Sequence, residues 1–192
     1  MTLIIIDGLD GSGKSTQAQF ILKSLENRGK TVCLRVHPEK DNFFGVKARQ
    51  FLYSSGKSAH FAAALFYMID VIRSILLYSW RKVDYIIFVR YLMGTAYLPA
   101  PLHKIAYHFF AFAVPHSEIM IFLDVSPEEA VSRIAKSRVE REMFEDFDAL
   151  SKVRAKALSL AFSDKWIIVN SNKPAIEVAA AIKKIVSDCL SH

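Results

Sequence analysis

The chain has 192 residues, of which 52% are hydrophobic, and it carries a formal charge of +6. This length suits a single domain with one sizeable core, and the positive balance favours anionic partners. No dense Lys/Arg run and no interleaving of aromatic with basic residues is present, which argues against nucleic acid and leaves a small anionic ligand such as a nucleotide.

The opening MTLIIIDG has no basic n-region and no small-residue cleavage site, so no secretion signal is expected. Residues 2–7 (TLIIID) are a short apolar run cut off by a glycine-rich turn, the pattern of a buried strand. A helical pattern runs from Lys14 to about Asn27 and ends near Gly29. A second strand covers 31–37 and contains Cys33. Cys33 and Cys189 lie far apart without metal or redox spacing, so both are expected to be reduced thiols in a cytoplasm.

Two helical stretches follow, at 43–54 and 57–80. The second holds FAAALFYMIDVIRSILLYSW, which is long enough to span a bilayer, but Asp70 and Arg73 sit in its middle, where charge is costly. A buried helix, or one covered by a second subunit, is expected instead of a membrane span. A third strand covers 84–90, followed by the Pro-rich turn LPAP and an apolar helix over about 102–113. His103 and His108 on that helix are five apart, a poor spacing for metal ligands, and Phe109, Phe110 and Phe112 read as core or subunit contact. A fourth strand covers 118–125. SPEEA at 126–130 then supplies an N-cap serine, a first-turn proline and a capping Glu129. A fifth strand at 165–170 and a last helix at 174–188 complete the chain. Short apolar strands alternating with helices predict an α/β fold, with a parallel sheet covered on both faces and ligands at the carboxyl ends of the strands.

One motif stands between the first strand and the first helix. Gly8-Leu9-Asp10-Gly11-Ser12-Gly13-Lys14-Ser15, with Thr16 next, fits G-x-x-x-x-G-K-[ST] in the context that motif requires. The glycines let backbone N–H groups turn inward around phosphates, and the helix N-terminus adds its positive end. Lys14 is placed to neutralise the β- and γ-phosphates of ATP or GTP, and Ser15 to ligate Mg²⁺. Asp124, closing the fourth strand, is a candidate to hold the metal through water. Lys40 and Arg90 follow the second and third strands and so fall at the same rim of the sheet. Arg133, Lys136, Arg138 and Arg141 cluster after the fourth strand and read as a lid over the triphosphate. Tyr91 and Tyr97 are candidates for lining an acceptor cleft.

With these motifs the sequence resembles the thymidylate kinase family of P-loop nucleoside monophosphate kinases over nearly its whole length. The resemblance rests on DGLDGSGKSTQ, HPEK, LFYMID, VRYLMGTAYL, IFLDVSPEEAVSRI and EREMFEDFDALSKVRAKAL. It implies a P-loop kinase fold: a five-stranded parallel sheet with helices on both faces and a small basic lid, about 133–145. It also implies the reaction of ATP-Mg with dTMP to give ADP and dTDP, and a homodimer joined through helices. Carried over by position, Asp10 approaches the acceptor's sugar hydroxyl, Lys40 grips its phosphate and Phe66 stacks on its base. Arg90 reaches between acceptor and donor phosphates, Arg138 and Arg141 belong to the lid, and the loop VNSNKP borders the adenine of ATP.

The sequence also departs from the family. Val89 stands where the family has the aspartate of its Asp-Arg-Tyr triplet, so Asp124 or Asp7 is expected to take over the metal, or catalysis is weak. Asp70 stands where an arginine donates to a thymine carbonyl, and Arg73, one turn on, is a candidate to pair with it or to replace the lost donor. Gly94 and Leu98 align with a serine and a glutamine near the base. An altered acceptor, for instance an amino-bearing base facing Asp70, and a nucleotide-binding protein without turnover are therefore alternatives to dTMP phosphorylation.

Overall fold

The computed structural model describes residues 1–54, 57–78, 80–115, 117, 119–137 and 146–190, apart from the side chains of Lys57 and His60. Five strands form one sheet: β1 (Thr2–Gly8), β2 (Val32–Val36), β3 (Tyr85–Val89), β4 (Ile119–Asp124) and β5 (Ile167–Asn170). Their order is β2-β3-β1-β4-β5, and every pairing is parallel.

The alternation of side chains along β1 builds two cores from one strand. Ile4 and Ile6 point to the side covered by α1 (Lys14–Glu26) and α7 (Ala175–Leu190), where they meet Ala18, Ile21 and Ile182. Ile5 points to the other side, with Phe88 and Phe122, against α3 (Lys57–Tyr78), α4 (Leu102–Ala113) and α6 (Phe147–Phe162). Both faces are covered, which is why the central strands are apolar throughout. The remaining helices are α2 (Phe43–Leu52), α5 (Pro127–Ser137) and a short 3-10 helix at Met93–Tyr97.

Helix α6 has no counterpart in the sequence pattern above. Its buried positions Leu150, Val153, Ala157, Leu160 and Ala161 do follow helical spacing, and Asp146 caps its first turn by accepting from Ala149 N–H at 2.8 Å. Two of those five core residues are alanines, so the apolar stripe is thin and easily overlooked.

Helix α3 is only partly buried within this chain. Among the described residues it is the one helix long and apolar enough, by length and composition alone, to cross a membrane, and 33% of its 61–78 window is buried. Its inner side carries Tyr67, Asp70 and Ser74, all buried, while Phe61, Leu65, Leu76 and Leu77 face outward and exposed. On α4, Phe110 is core but Phe109 and Phe112 are exposed.

A phosphate loop between two pockets

β1 is the switch point of the sheet, since the chain winds to β3 and β2 on one side and to β4 and β5 on the other. Ligands belong in the crevice beyond its carboxyl end, and residues 8–15 occupy that position. Gly11 has φ +76, and a Cβ there would lie 2.7 Å from the Ala130 carbonyl oxygen, so only glycine lets the loop close against α5. Gly13, at φ +87, starts α1 and leaves its first N–H groups without a side-chain cap. This is the arrangement that receives phosphate oxygens. Lys14 is buried and lies across the loop, its Nζ donating to the carbonyl oxygens of Gly8, at 2.8 Å, and Leu9.

Three side chains converge beside the loop. Asp10 is buried and accepts from Arg90 Nη2 and from the Tyr97 hydroxyl at 2.9 Å, with Lys14 Nζ 3.8 Å away. Burial opposes its charge, but Arg90 and Lys14 outweigh that and hold its carboxyl well below the usual carboxylate range. Burial first, and then Asp10, push the Tyr97 hydroxyl well above its ordinary value, so it stays a donor. Arg90 adopts φ +63, a strained backbone for a non-glycine residue. The strain is held in place: Arg90 N–H donates to Ile6 O at 3.0 Å and its Nη1 to His37 O at 3.4 Å.

A cavity of about 260 Å³ opens from this triad. Asp10, Ser15, Lys40 and Arg90 line its polar part, and Leu52, Ala63, Ala64, Tyr67 and Leu98 supply apolar walls. Arg49 also lines it and donates from Nε and Nη2 to Pro38 O at 2.9 and 2.7 Å. Its volume is near the lower end of small-ligand pockets. On the other side of the loop a second pocket, about 450 Å³, is bounded by Ser12, Gly13, Thr16, Arg133, Asn172 and Pro174. Arg133 bridges its two rims, donating to Glu129 Oε1 at 2.7 Å and to Ser171 O at 2.9 Å.

Five expected site residues stand elsewhere, among them Tyr91, which is fully buried in the core and does not line the cavity. Phe66 does not line the cavity; it stacks on Phe51 of α2, with ring centroids 5.7 Å apart, and meets Phe43 edge-on. Tyr67, one residue on and about 100° further round the helix, lines it instead, with its hydroxyl donating to Tyr91 O at 3.0 Å. Asp70 is wholly buried and faces the β2–α2 loop, accepting from Glu39 N–H at 2.8 Å and Asn42 Nδ2 at 2.7 Å. It therefore meets no base in this cavity. Arg73 does not line the cavity either, and its Nη1 is buried without a hydrogen-bond partner. Asp124 is held by Arg154, which donates from Nε at 2.7 Å and from Nη2 at 2.8 Å.

That engagement bears on the metal. Asp7 is buried too, and accepts backbone N–H groups from Gly8, Tyr91 and Met93 at 2.9, 2.7 and 3.0 Å. Burial raises its pKa despite these bonds. Val89 is fully buried in the apolar core on the α1 side of the sheet. Among the described residues no cluster of three His, Cys, Asp or Glu forms a metal site. Ser15, exposed in the phosphate loop, is the oxygen donor left, and a Mg²⁺ that takes its other ligands from phosphates and water fits it. Arg138 and Arg141, with residues 139, 140 and 142–145 of the expected lid, lie outside the described residues.

Tyr67 and Arg49 were absent from the sequence reading. The phase of α3 was nonetheless readable: Ala59, Ala63, Tyr67, Val71 and Tyr78 repeat at four- and seven-residue spacing and form its buried side. Nothing comparable marked Arg49, whose role in lining the cavity depends on the fold of the loop it touches.

A parallel sheet of this order, with a glycine loop feeding α1 and a pocket on each side of that loop, defines the class of P-loop kinases. The family model described as "Thymidylate kinase" matches residues 6–182, and the chain belongs to that family. It is 29% identical to a thymidylate kinase of Thermosipho melanesiensis over 98% of this chain and 99% of that protein. It is 31% identical to a probable thymidylate kinase of Thermococcus kodakarensis over 82% of this chain and 83% of that one. Among solved structures, a thymidylate kinase from Candida albicans superposes with a TM-score of 0.75 at 21% identity, covering 97% of this chain and 91% of that one, which supports the shared fold.

Proposed function

We propose that the protein transfers the γ-phosphoryl group of ATP to dTMP, giving ADP and dTDP. The observation that carries this is the phosphate loop shared by two pockets: Ser12, Gly13 and Thr16 face one, Asp10 and Ser15 face the other. A donor nucleotide in the larger pocket and an acceptor in the smaller then meet over Lys14 and Arg90. Family membership supplies the acceptor's identity.

Catalysis of this kind is mostly positioning and electrostatics. Lys14 neutralises the donor phosphates, and Arg90 reaches between the two nucleotides. Lys40 binds the acceptor phosphate, while Asp10, fixed by Tyr97, faces the acceptor sugar. Mg²⁺, held by Ser15 with the nucleotide's own oxygens and water, supplies charge neutralisation when bound. Neither side chain nor metal has to form a covalent intermediate, so Val89 in place of an acid does not by itself remove activity. The lid role of Arg138 and Arg141 rests on the family resemblance alone, since both lie outside the described residues. The uncovered apolar side of α3 supports a homodimer, and the free thiols of Cys33 and Cys189 support a reducing, cytoplasmic setting.

The test is ADP release from Mg-ATP with a panel of ribo- and deoxyribonucleoside monophosphates, with Lys14→Ala as control. Selective turnover of dTMP is expected. Turnover of a different monophosphate, or none above the control, contradicts the proposal.

A further inference from the structure

We propose that Asp70 is a positioning residue for the acceptor phosphate, acting through the loop that carries Lys40. This rests on the acceptor reading above. Both carboxylate oxygens of Asp70 are spent on that loop: Oδ2 accepts from Glu39 N–H at 2.8 Å and Oδ1 from Asn42 Nδ2 at 2.7 Å. The two donors bracket Lys40 in sequence. Both bonds end on a wholly buried carboxyl group, where no water competes for them, so the loop is fixed where it approaches α3.

Further contacts add to the clamp, including Arg35, which pairs with Glu39 and Asp41 at 2.8 Å each. Arg49 holds Pro38 O with two N–H groups, and Asn42 Oδ1 accepts Gly45 N–H at 3.0 Å, tying the loop to the first turn of α2. Residues 38, 39 and 42 are thus each held by hydrogen bonds, and exposed Lys40 projects from the stretch between them. A lysine has a long flexible stem, and its grip on a phosphate depends on where that stem begins. The same loop reaches the catalytic side, because His37 O accepts from Arg90 Nη1 at 3.4 Å.

The position of Asp70 separates this role from base reading. It has no exposed surface and is absent from the cavity wall, so its removal is expected to weaken acceptor phosphate binding without altering which base is preferred.

The experiment measures steady-state kinetics of Asp70→Asn and Asn42→Ser, each also combined with Lys40→Ala. An asparagine at 70 presents one donor where two acceptors are needed, so one loop contact is lost whichever way the amide turns. Asn42→Ser keeps a helix-capping oxygen and removes the amide donor, so it reports on the loop even if Asp70→Asn folds poorly. The expected result for Asp70→Asn is a rise of about tenfold in the acceptor KM with the ATP KM within about twofold, in the range of a lost hydrogen bond to a charge. Asn42→Ser is expected to raise the acceptor KM about threefold by the same reasoning. In both backgrounds Lys40→Ala is expected to add less than it costs in the wild type, because the pairs act as units. Effects that add in full, an acceptor KM unchanged in both variants, or ATP and acceptor KM rising together overturn the proposal. A changed ratio of kcat/KM between dTMP and dCMP in Asp70→Asn also overturns it, in favour of base reading. If the wild type turns over no monophosphate, it is the proposed function that falls.

Discussion

Replacing Gly45 by alanine is expected to destabilise the protein, although the same change in an ordinary helix stabilises it. Gly45 is buried in the first turn of α2, and by propensity alone alanine gains up to about 1 kcal/mol. A Cβ at this position, however, would lie 2.1 Å from Glu39 O, 2.7 Å from Glu39 N and 2.8 Å from Glu39 C. All three are backbone atoms, so no rotamer change relieves the contact. Either α2 or the loop must move by about an ångström, and overpacking of this kind costs ~1–3 kcal/mol. Movement of Glu39 also stretches its N–H bond to the buried Asp70 carboxylate, worth ~1.5–3 kcal/mol as a hydrogen bond to a charge. The losses outweigh the gain by about 1.5–5 kcal/mol. Urea unfolding of wild type and Gly45→Ala measures the difference, read from the midpoint at unchanged slope. A variant as stable as the wild type, or more stable, refutes the reasoning, because the propensity gain would then act unopposed.

Three further predictions concern the site. Lys14→Ala is expected to reduce kcat by about 10²–10³, the range for losing one preorganised electrostatic contact to the transition state, with the fold intact by circular dichroism; activity within about tenfold of wild type would contradict the assignment. Asp124→Asn is expected to leave the Mg²⁺ concentration for half-maximal activity within about twofold, because its carboxylate is engaged by Arg154 rather than by a metal; a much larger requirement would restore Asp124 as a ligand. The third concerns pH. Burial pulls the His37 imidazole from 6.5 down to about 4 in the folded chain. Between those values the unfolded chain binds the extra proton, so stability is full above pH 6.5 and falls as pH drops toward 4, by at most ~1.4 kcal/mol per pH unit. His37→Asn is expected to flatten that slope in urea unfolding at pH 7, 6 and 5, and equal slopes in the two proteins would refute it.

The strands and the phosphate loop were legible in the sequence because each rests on local chemistry. TLIIID can only be a buried strand before so tight a glycine turn, and G-x-x-x-x-G-K-[ST] in that context encodes its own geometry. Lys40 and Arg90 were also legible, since the ends of parallel strands place them at one rim, and the family resemblance pointed to Asp10. What failed was rotation and partnership. Phe66 and Tyr67 differ by one step round a helix, and the family resemblance points to Phe66 by position, whereas the phase that Ala63 and Val71 define turns Tyr67 toward the cavity. Asp70 was expected to face a base or pair with Arg73, and Asp124 to hold the metal, because their partners, Glu39 N–H, Asn42 and Arg154, come from segments 28 to 31 residues away. A sequence shows a carboxylate, but only the fold shows what it already holds.

The central claim is that a phosphoryl group passes directly between nucleotides bound on either side of the phosphate loop. The most direct measurement follows the label from γ-³²P-ATP in a single turnover with Mg²⁺ and excess dTMP. The account predicts that the label appears in dTDP in step with ADP, with no inorganic phosphate released. Label recovered as inorganic phosphate, or retained in ATP while both nucleotides are bound, would contradict it.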